Sequence, residues 1–82
     1  LNSKLTFFPN PSNGEFQIEF LPDSQTVLMI TDMAGRLVFQ EEFQPTQTLV
    51  TKSIDLSDQP KGLYLVKLES ISRKKFGKLL IQ

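Results

Sequence analysis

Polar and apolar residues alternate in short segments along most of the chain. The alternation is strict in Glu15–Phe20, so Phe16, Ile18 and Phe20 lie on one face of an extended segment and the polar residues on the other. Such a segment is typical of a half-buried strand. No eleven-residue segment carries apolar positions at the helical spacing i, i+3, i+4 and i+7. The pattern therefore predicts an all-β protein.

Six further segments predict strands, and residues typical of turns separate them. These segments are Leu5–Phe8, Val27–Thr31, Arg36–Phe43, Leu49–Leu56, Leu63–Glu69 and Phe76–Ile81. About seven short strands at intervals of about 8 to 12 residues are typical of a small antiparallel sandwich or barrel. Within 36–43, Val38 lies on one face and Leu37 and Phe39 on the other. The pattern leaves open which of these two faces is buried.

The same alternation predicts the residues of the hydrophobic core. We expect most of it to come from Phe16, Ile18, Phe20, Leu28, Ile30, Ile54, Leu56, Tyr64 and Val66. Tyr64 is then a core aromatic residue whose hydroxyl group needs a hydrogen-bond partner.

Glycine and proline residues mark the predicted turns. Pro9 and Pro11 stop the first strand, because each proline disfavours helical geometry in the residue before it. Gly35 and Gly62 end turn segments, where we expect a positive φ that other residues adopt only at a cost. Gly77 lies inside a strand and predicts a bulge.

Composition excludes several kinds of chemistry. The 82 residues include no Cys and no His, which excludes disulfides, zinc sites of the usual ligands, thiol nucleophiles and imidazole bases. Asp55 and Asp58 could be a carboxylate pair or part of a calcium site, but no calcium-loop pattern accompanies them. We interpret both as turn residues and predict a non-catalytic domain without cofactor or metal. No apolar run reaches the roughly 20 residues of a membrane span.

Charge is divided along the chain although it sums to zero. Residues 1–60 carry a net charge of −5, and residues 61–82 carry +5. The basic segment is either a solvated hairpin tip or a surface that docks on an acidic or lipopolysaccharide-like partner. Nucleic acid is not expected as a partner, because Phe76 is the only aromatic residue near Arg73-Lys74-Lys75 and no recognition motif is present.

Four motifs occur in a specific order. They are Phe8-Pro9-Asn10-Pro11 with Gly14, the segment Ile30–Val38 around Asp32-Met33-Ala34-Gly35-Arg36, the segment Ile54–Val66, and the terminal Lys78-Leu79-Leu80-Ile81. In this order and spacing the chain resembles the type A C-terminal sorting domain of the type IX (Por) secretion system of Bacteroidota. The resemblance covers essentially the whole chain.

The resemblance implies a fold, a function and partners. Such domains are immunoglobulin-like β-sandwiches of seven strands at the C-terminus of exported cargo. The cargo crosses the periplasm, and the outer-membrane type IX translocon then recognises the domain. A sortase-like protease commonly removes the domain, and the cargo is released or joined to lipopolysaccharide, so the expected location is the cell surface or the medium.

The resemblance also assigns roles to residues. It places sorting-signal recognition at the C-terminal segment, on Lys74, Lys75, Lys78, Leu79, Leu80 and Ile81. It gives structural roles to the motif residues Pro9, Asn10, Pro11, Gly14, Asp32, Gly35, Gly62 and Tyr64. We expect one monomeric domain over residues 1–82, cut from a longer exported protein, since Leu1 is not an initiator Met.

Two alternative functions stay open. A carbohydrate-binding sandwich would need exposed aromatic residues, but the chain has no Trp, one Tyr, and seven Phe that mostly fall at positions compatible with a core. An immunoglobulin-like spacer or adhesin repeat would have the same composition as a sorting domain. It would differ only by lying in the middle of a longer chain.

Overall fold

Residues 5–82 are described by a computed structural model, and they form an all-β fold. Their strands are β1 (Thr6–Phe8), β2 (Glu15–Phe20), β3 (Thr26–Asp32), β4 (Leu37–Phe43), β5 (Val50–Asp55), β6 (Gly62–Ser70) and β7 (Lys74–Ile81). The first four residues of the domain predicted for 1–82 lie outside the described residues. Within residues 5–82, no helix is long and apolar enough to cross a membrane.

The strands form two sheets, and every pair of neighbouring strands is antiparallel. One sheet has three strands in the order β1-β2-β5, and the other has four in the order β4-β3-β6-β7. The inner faces of the two sheets enclose a single core cluster. This arrangement confirms the predicted small immunoglobulin-like β-sandwich of seven strands.

The predicted core is confirmed in full. All nine residues named from the alternation are buried, and Leu68, Leu79 and Ile81 join them. Phe20 and Phe43 add an edge-to-face contact between the two sheets, with their ring centroids 5.0 Å apart.

A β-bulge decides the orientation of β4. Ile30 pairs with Phe39 but Thr31 pairs with Leu37, so Val38 is an extra residue in the β4 strand. Val38 and Phe39 therefore both pack against the core, while Leu37 remains exposed. The sequence pattern had placed Val38 on one face of the strand and Leu37 with Phe39 on the other. Neither set is buried alone, because the extra residue turns the consecutive side chains of Val38 and Phe39 to the same side.

The bulge predicted at Gly77 is wrong. The pairing of β6 with β7 runs without a register shift, and Gly77 lies opposite Val66. The reason for glycine is instead the ring of Phe7, which approaches from β1 in the other sheet. A Cβ at position 77 would overlap the Phe7 ring, with Cε1 only 2.9 Å away.

Candidate functional site

The motif segments lie together at one end of the sandwich. The strand registers bring the following pairs to this end: Glu15 with Asp55, Asp32 with Tyr64, and Gly62 with Ile81. Loops 9–14, 33–36 and 56–61 therefore lie beside the C-terminal end of β7. We call these three loops and the end of β7 the motif pole.

The chain enters the sandwich at the opposite end. Thr6, the first residue of β1, pairs with Glu19 near the end of β2. Loops 21–25, 44–49 and 71–73 surround this entry end. The motif pole thus lies at the end of the sandwich opposite to the one where the chain enters β1.

Asn10 fastens the first loop of the motif pole to β7. Its side-chain amide Nδ2 donates a hydrogen bond to the carbonyl oxygen of Lys78 at 3.0 Å, and its Oδ1 accepts one from the backbone N–H of Leu80 at 3.1 Å. Pro9 and Pro11 flank it, and both of the peptide bonds that precede them are cis. The Asn10 side chain therefore occupies the place of a neighbouring strand at the edge of β7.

Ser12 continues this contact with its backbone. Its N–H donates to the carbonyl of Leu80 at 2.8 Å, and its carbonyl accepts from the N–H of Gln82 at 2.7 Å, which makes a parallel bridge to the end of β7. The Ser12 side chain is buried, and its Oγ accepts from Gly14 N–H at 2.9 Å and donates to the Glu15 carbonyl at 3.0 Å. Together with Asn10, Ser12 covers the edge of β7 from residue 78 to residue 82.

Gly14 joins the same loop to the start of loop 56–61. Its carbonyl accepts a hydrogen bond from the N–H of Leu56 at 2.7 Å. Its φ is +114°, and a Cβ at this position would lie 2.7 Å from the Cα of Ser57. Glycine is required here both by the backbone conformation and by this close approach.

Asp32 organises the turn between β3 and β4. Its Oδ1 accepts hydrogen bonds from the N–H groups of Ala34 at 3.0 Å and Arg36 at 2.9 Å, and its Oδ2 forms an ion pair with Arg36 Nε at 3.1 Å. The hydrogen bond from the Arg36 backbone is the main reason why the pKa of Asp32 is lowered below its ordinary value. Gly35 has a φ of +90°, as predicted, and its N–H donates to the Asp32 carbonyl at 3.0 Å.

Arg36 links this turn to loop 56–61. Its Nη2 donates to Oε1 of Gln59 at 3.1 Å. The Tyr64 hydroxyl group donates to the carbonyl of Pro60, which gives the buried phenol the partner that the sequence predicted. An open groove of about 280 Å³ lies between the two loops, and Met33 and Lys61 are among the residues that line it. Gly62 has a φ of +145°, also as predicted.

Asp55 has a structural partner in the adjacent loop. Its Oδ1 accepts a hydrogen bond from the N–H of Ser57 at 2.9 Å. Hydrogen bonds from the Ser57 side chain and backbone lower the pKa of Asp55. Residues 5–82 contain no group of three or more Cys, His, Asp or Glu residues placed to hold a metal ion.

The residues of the predicted recognition segment are divided between the two faces of β7. Lys74, Lys78 and Leu80 point outward, Lys75 is half-buried on the inner side, and Leu79 and Ile81 are buried in the core. A partner that binds the folded domain can therefore touch Lys74, Lys78 and Leu80, while Leu79 and Ile81 hold the strand in place.

The sequence pattern did not indicate two residues that build the motif pole. Ser12 was not singled out, although a Ser two residues before a Gly is a local signal for a side-chain bond to the backbone. Gln59 carries no local signal, because its partner Arg36 is 23 residues away along the chain.

Comparison with known families assigns the chain to a family. The family model of the secretion system C-terminal sorting domain matches residues 6–82, nearly the whole chain and all of the motif pole. No curated protein matches the chain. The family is one of sorting signals, not of catalysts. The chain therefore belongs to the C-terminal sorting domains of the type IX (Por) secretion system.

Proposed function

We propose that this domain is a non-catalytic signal that directs an upstream cargo across the outer membrane through the type IX translocon. The observation that carries the proposal is the family match over residues 6–82, together with the placement of the motif residues at the end opposite the chain entry. A cargo joined before β1 would lie at the entry end. The motif pole would then remain accessible to the export machinery.

The proposal includes a route and a set of partners. The cargo passes through the periplasm, the translocon binds the domain, and a sortase-like protease then separates the two. The cargo then reaches the cell surface or the medium, where it is released or joined to lipopolysaccharide. On the domain itself, we propose that Lys78 and Leu80 are read directly, because they point outward from β7 on the side of the motif pole. Lys74 also points outward, but it lies beside loop 71–73 at the entry end.

We propose that the domain is non-catalytic because the carboxylates at the motif pole are held in their ionised form. Hydrogen bonds within turns lower the pKa values of Asp32 and Asp55, so both groups are ionised at neutral pH. A general acid needs the opposite shift, towards the operating pH. Of the two carboxylates that the sequence offered for chemistry, Asp55 and Asp58, Asp55 is therefore held by hydrogen bonds within a turn.

A fusion experiment tests the sorting function. The 82-residue chain is fused to the C-terminus of a periplasm-targeted fluorescent protein in a host with a type IX system. We expect fluorescence at the cell surface or in the medium. The matched control lacks residues 75–82, and we expect it to retain its reporter in the periplasm.

The deletion also removes most of β7, so a point variant that leaves the strand in place is needed. Lys78→Glu reverses one outward charge, and protease resistance of the purified variant shows that the sandwich survives. Retention of the wild-type fusion in a type IX-competent host would contradict the sorting function. Equal export of the wild type and the deletion variant would contradict it as well.

The same fusion distinguishes the two alternative functions. A spacer domain would leave the reporter in the periplasm in every variant. A carbohydrate-binding module would do the same but would bind a glycan array. Phe8 and Phe76 are the large aromatic residues that residues 5–82 expose, and they lie in different sheets. A sugar-binding platform would need such rings side by side.

A further inference from the structure

The outer face of the four-stranded sheet is unusually apolar for a surface exposed to water. The strand registers place seven apolar side chains on it: Val27, Met29, Leu37, Leu63, Leu65, Phe76 and Leu80. Phe76 is 58% exposed, Leu37 48% and Leu80 36%. These seven residues are called the apolar face below. In an antiparallel sheet the face opposite the core usually carries polar residues, so this composition indicates a binding surface.

Lys78 is a cation within the apolar face that has no ion-pair partner among the described residues. It lies opposite Leu65, between Phe76 and Leu80 along β7. The other two lysines of this sheet surface differ. Lys67 and Lys74 both pair with Glu69, at 3.3 Å and 3.7 Å.

We propose that the apolar face docks onto a protein surface on which apolar side chains surround a carboxylate, and that this carboxylate pairs with Lys78. The proposal rests on the sorting function, because the partner is met during export. Apolar contacts around an ion pair exclude the water that would otherwise weaken it. The carboxylate would therefore strengthen binding and also discriminate between partners, since a surface without it would leave Lys78 unpaired.

Charge favours a protein over an anionic membrane as the partner. Each lysine near an anionic lipid surface contributes about 1 kcal/mol. Glu42 and Glu69 lie on the same sheet surface and would be repelled by such lipids. Lys67, Lys74 and Lys78 lie on this surface as well, so its net charge is only +1, whereas segments that bind anionic lipids carry clusters of about 4 to 8 Lys or Arg residues.

Charge also disfavours a second copy of this chain. In a two-fold dimer that packs this sheet face to face, an axis along the strands would place Lys78 over Leu37 of the other copy. An axis across the strands, through the middle of the outward residues of β7, would place it over Phe76. Neither arrangement supplies a carboxylate to Lys78.

Matched double variants of the export fusion test the proposal. Phe76→Thr/Leu80→Thr removes two side chains of the apolar face. The control Leu49→Thr/Ile71→Thr removes two apolar side chains that are also exposed, at 61% and 94%, but lie in the loops of the entry end. Threonine is chosen because it is compatible with strands. We expect export to fall roughly tenfold in the first variant, as for the loss of an interface anchor, and to stay unchanged in the second.

Single variants of Lys78 test the carboxylate. We expect Lys78→Glu to reduce export to the same degree, and Lys78→Arg to retain it. Treatment of exporting cells with a soluble carbodiimide should join the Lys78 amine to the partner carboxylate as an amide, while one carboxylate oxygen leaves with the carbodiimide as its urea. Mass spectrometry should then identify a link between Lys78 and an Asp or Glu of an envelope protein, and this link should disappear in the Phe76→Thr/Leu80→Thr variant.

Every other outcome overturns the proposal. Normal export of both Phe76→Thr/Leu80→Thr and Lys78→Glu, with a wild-type fusion that is exported, would refute the docking surface and leave the sorting function intact. Failure of the wild-type fusion to be exported would refute both. Flotation of the purified chain with vesicles of phosphatidylcholine and phosphatidylglycerol, lost in Lys78→Glu, would assign the surface to lipid. A dimer in light scattering that Phe76→Thr/Leu80→Thr dissociates would assign it to a second copy.

Discussion

The Asn10 side chain binds the backbone of Leu80 as a neighbouring strand would, although the two residues are 70 positions apart in the chain. The Oδ1 atom of Asn10 accepts from Leu80 N–H at 3.1 Å, and its Nδ2 donates to the carbonyl that lies two residues earlier in β7. The first motif along the chain and the motif at the C-terminus are thus in direct contact.

Replacement of Asn10 tests the strength of this contact. Asn10→Ala leaves a donor and an acceptor of β7 without their side-chain partner, so we expect a loss of about 1 to 2 kcal/mol in the free energy of unfolding. The measurement is urea denaturation followed by circular dichroism. Asn13→Ala is the matched control, because Asn13 makes only a local hydrogen bond to the N–H of Glu15. An Asn10→Ala variant as stable as the wild type would contradict the role of this contact.

The contact between Phe7 and Gly77 predicts a coupled pair of substitutions. Gly77→Ala places a Cβ inside the space of the Phe7 ring, and we expect a loss of about 1 to 3 kcal/mol from overpacking. In the Phe7→Ala background the same substitution should cost much less, because the ring is gone. A double-mutant cycle from urea denaturation gives this coupling. Additive effects would show that the ring does not require glycine at position 77.

Truncation of the core predicts near-complete loss of the fold. Ile18 and Ile30 are fully buried in opposite sheets. Ile18→Ala or Ile30→Ala should each cost about 2 to 5 kcal/mol, which approaches the whole stability of a domain this small. Met33→Ala is the control, because Met33 is exposed on the turn of the motif pole. An unchanged denaturation midpoint in either isoleucine variant would contradict the assignment of the strand faces.

The lowered pKa of Asp32 predicts how its contribution depends on pH. Its folded pKa lies below the ordinary value of 3.8, so the ionised form stabilises the fold above that pH. As pH falls through the folded pKa, the carboxylate is protonated and this contribution disappears. We expect Asp32→Ala to have a lower urea midpoint than the wild type at pH 7, and the difference to shrink below about pH 4.

The comparison of Asp32→Ala with the wild type at each pH controls for the titration of other groups. Asp55 also has a lowered pKa, but it titrates in the wild type and in the variant, so its effect cancels. A difference in midpoint that stays constant from neutral to acidic pH would mean that the charge of Asp32 does not stabilise the turn.

Local patterns determined most of the fold in advance. Alternation over six residues was enough to place Phe16, Ile18 and Phe20 in the core, because a strand exposes only two faces and one of them must be buried. Turn chemistry was equally local. Gly35 and Gly62 have the positive φ expected from their positions, since the conformational cost of other residues there does not depend on distant contacts.

The sequence by itself also determined the family and four motifs in order, but only the tertiary structure decided how they meet. The face of β4 was set by an extra residue at Val38, which alternation cannot indicate. Glycine at position 77 was explained by Phe7, which lies 70 residues earlier, and not by a bulge. In Lys78–Ile81, three consecutive apolar residues give no polar/apolar alternation, so the sequence does not indicate which side chains are buried. Pairing with β6 buries Leu79 and Ile81 and turns Leu80 outward. Each of these features depends on contacts between distant segments, and such contacts exist only after the two sheets have packed.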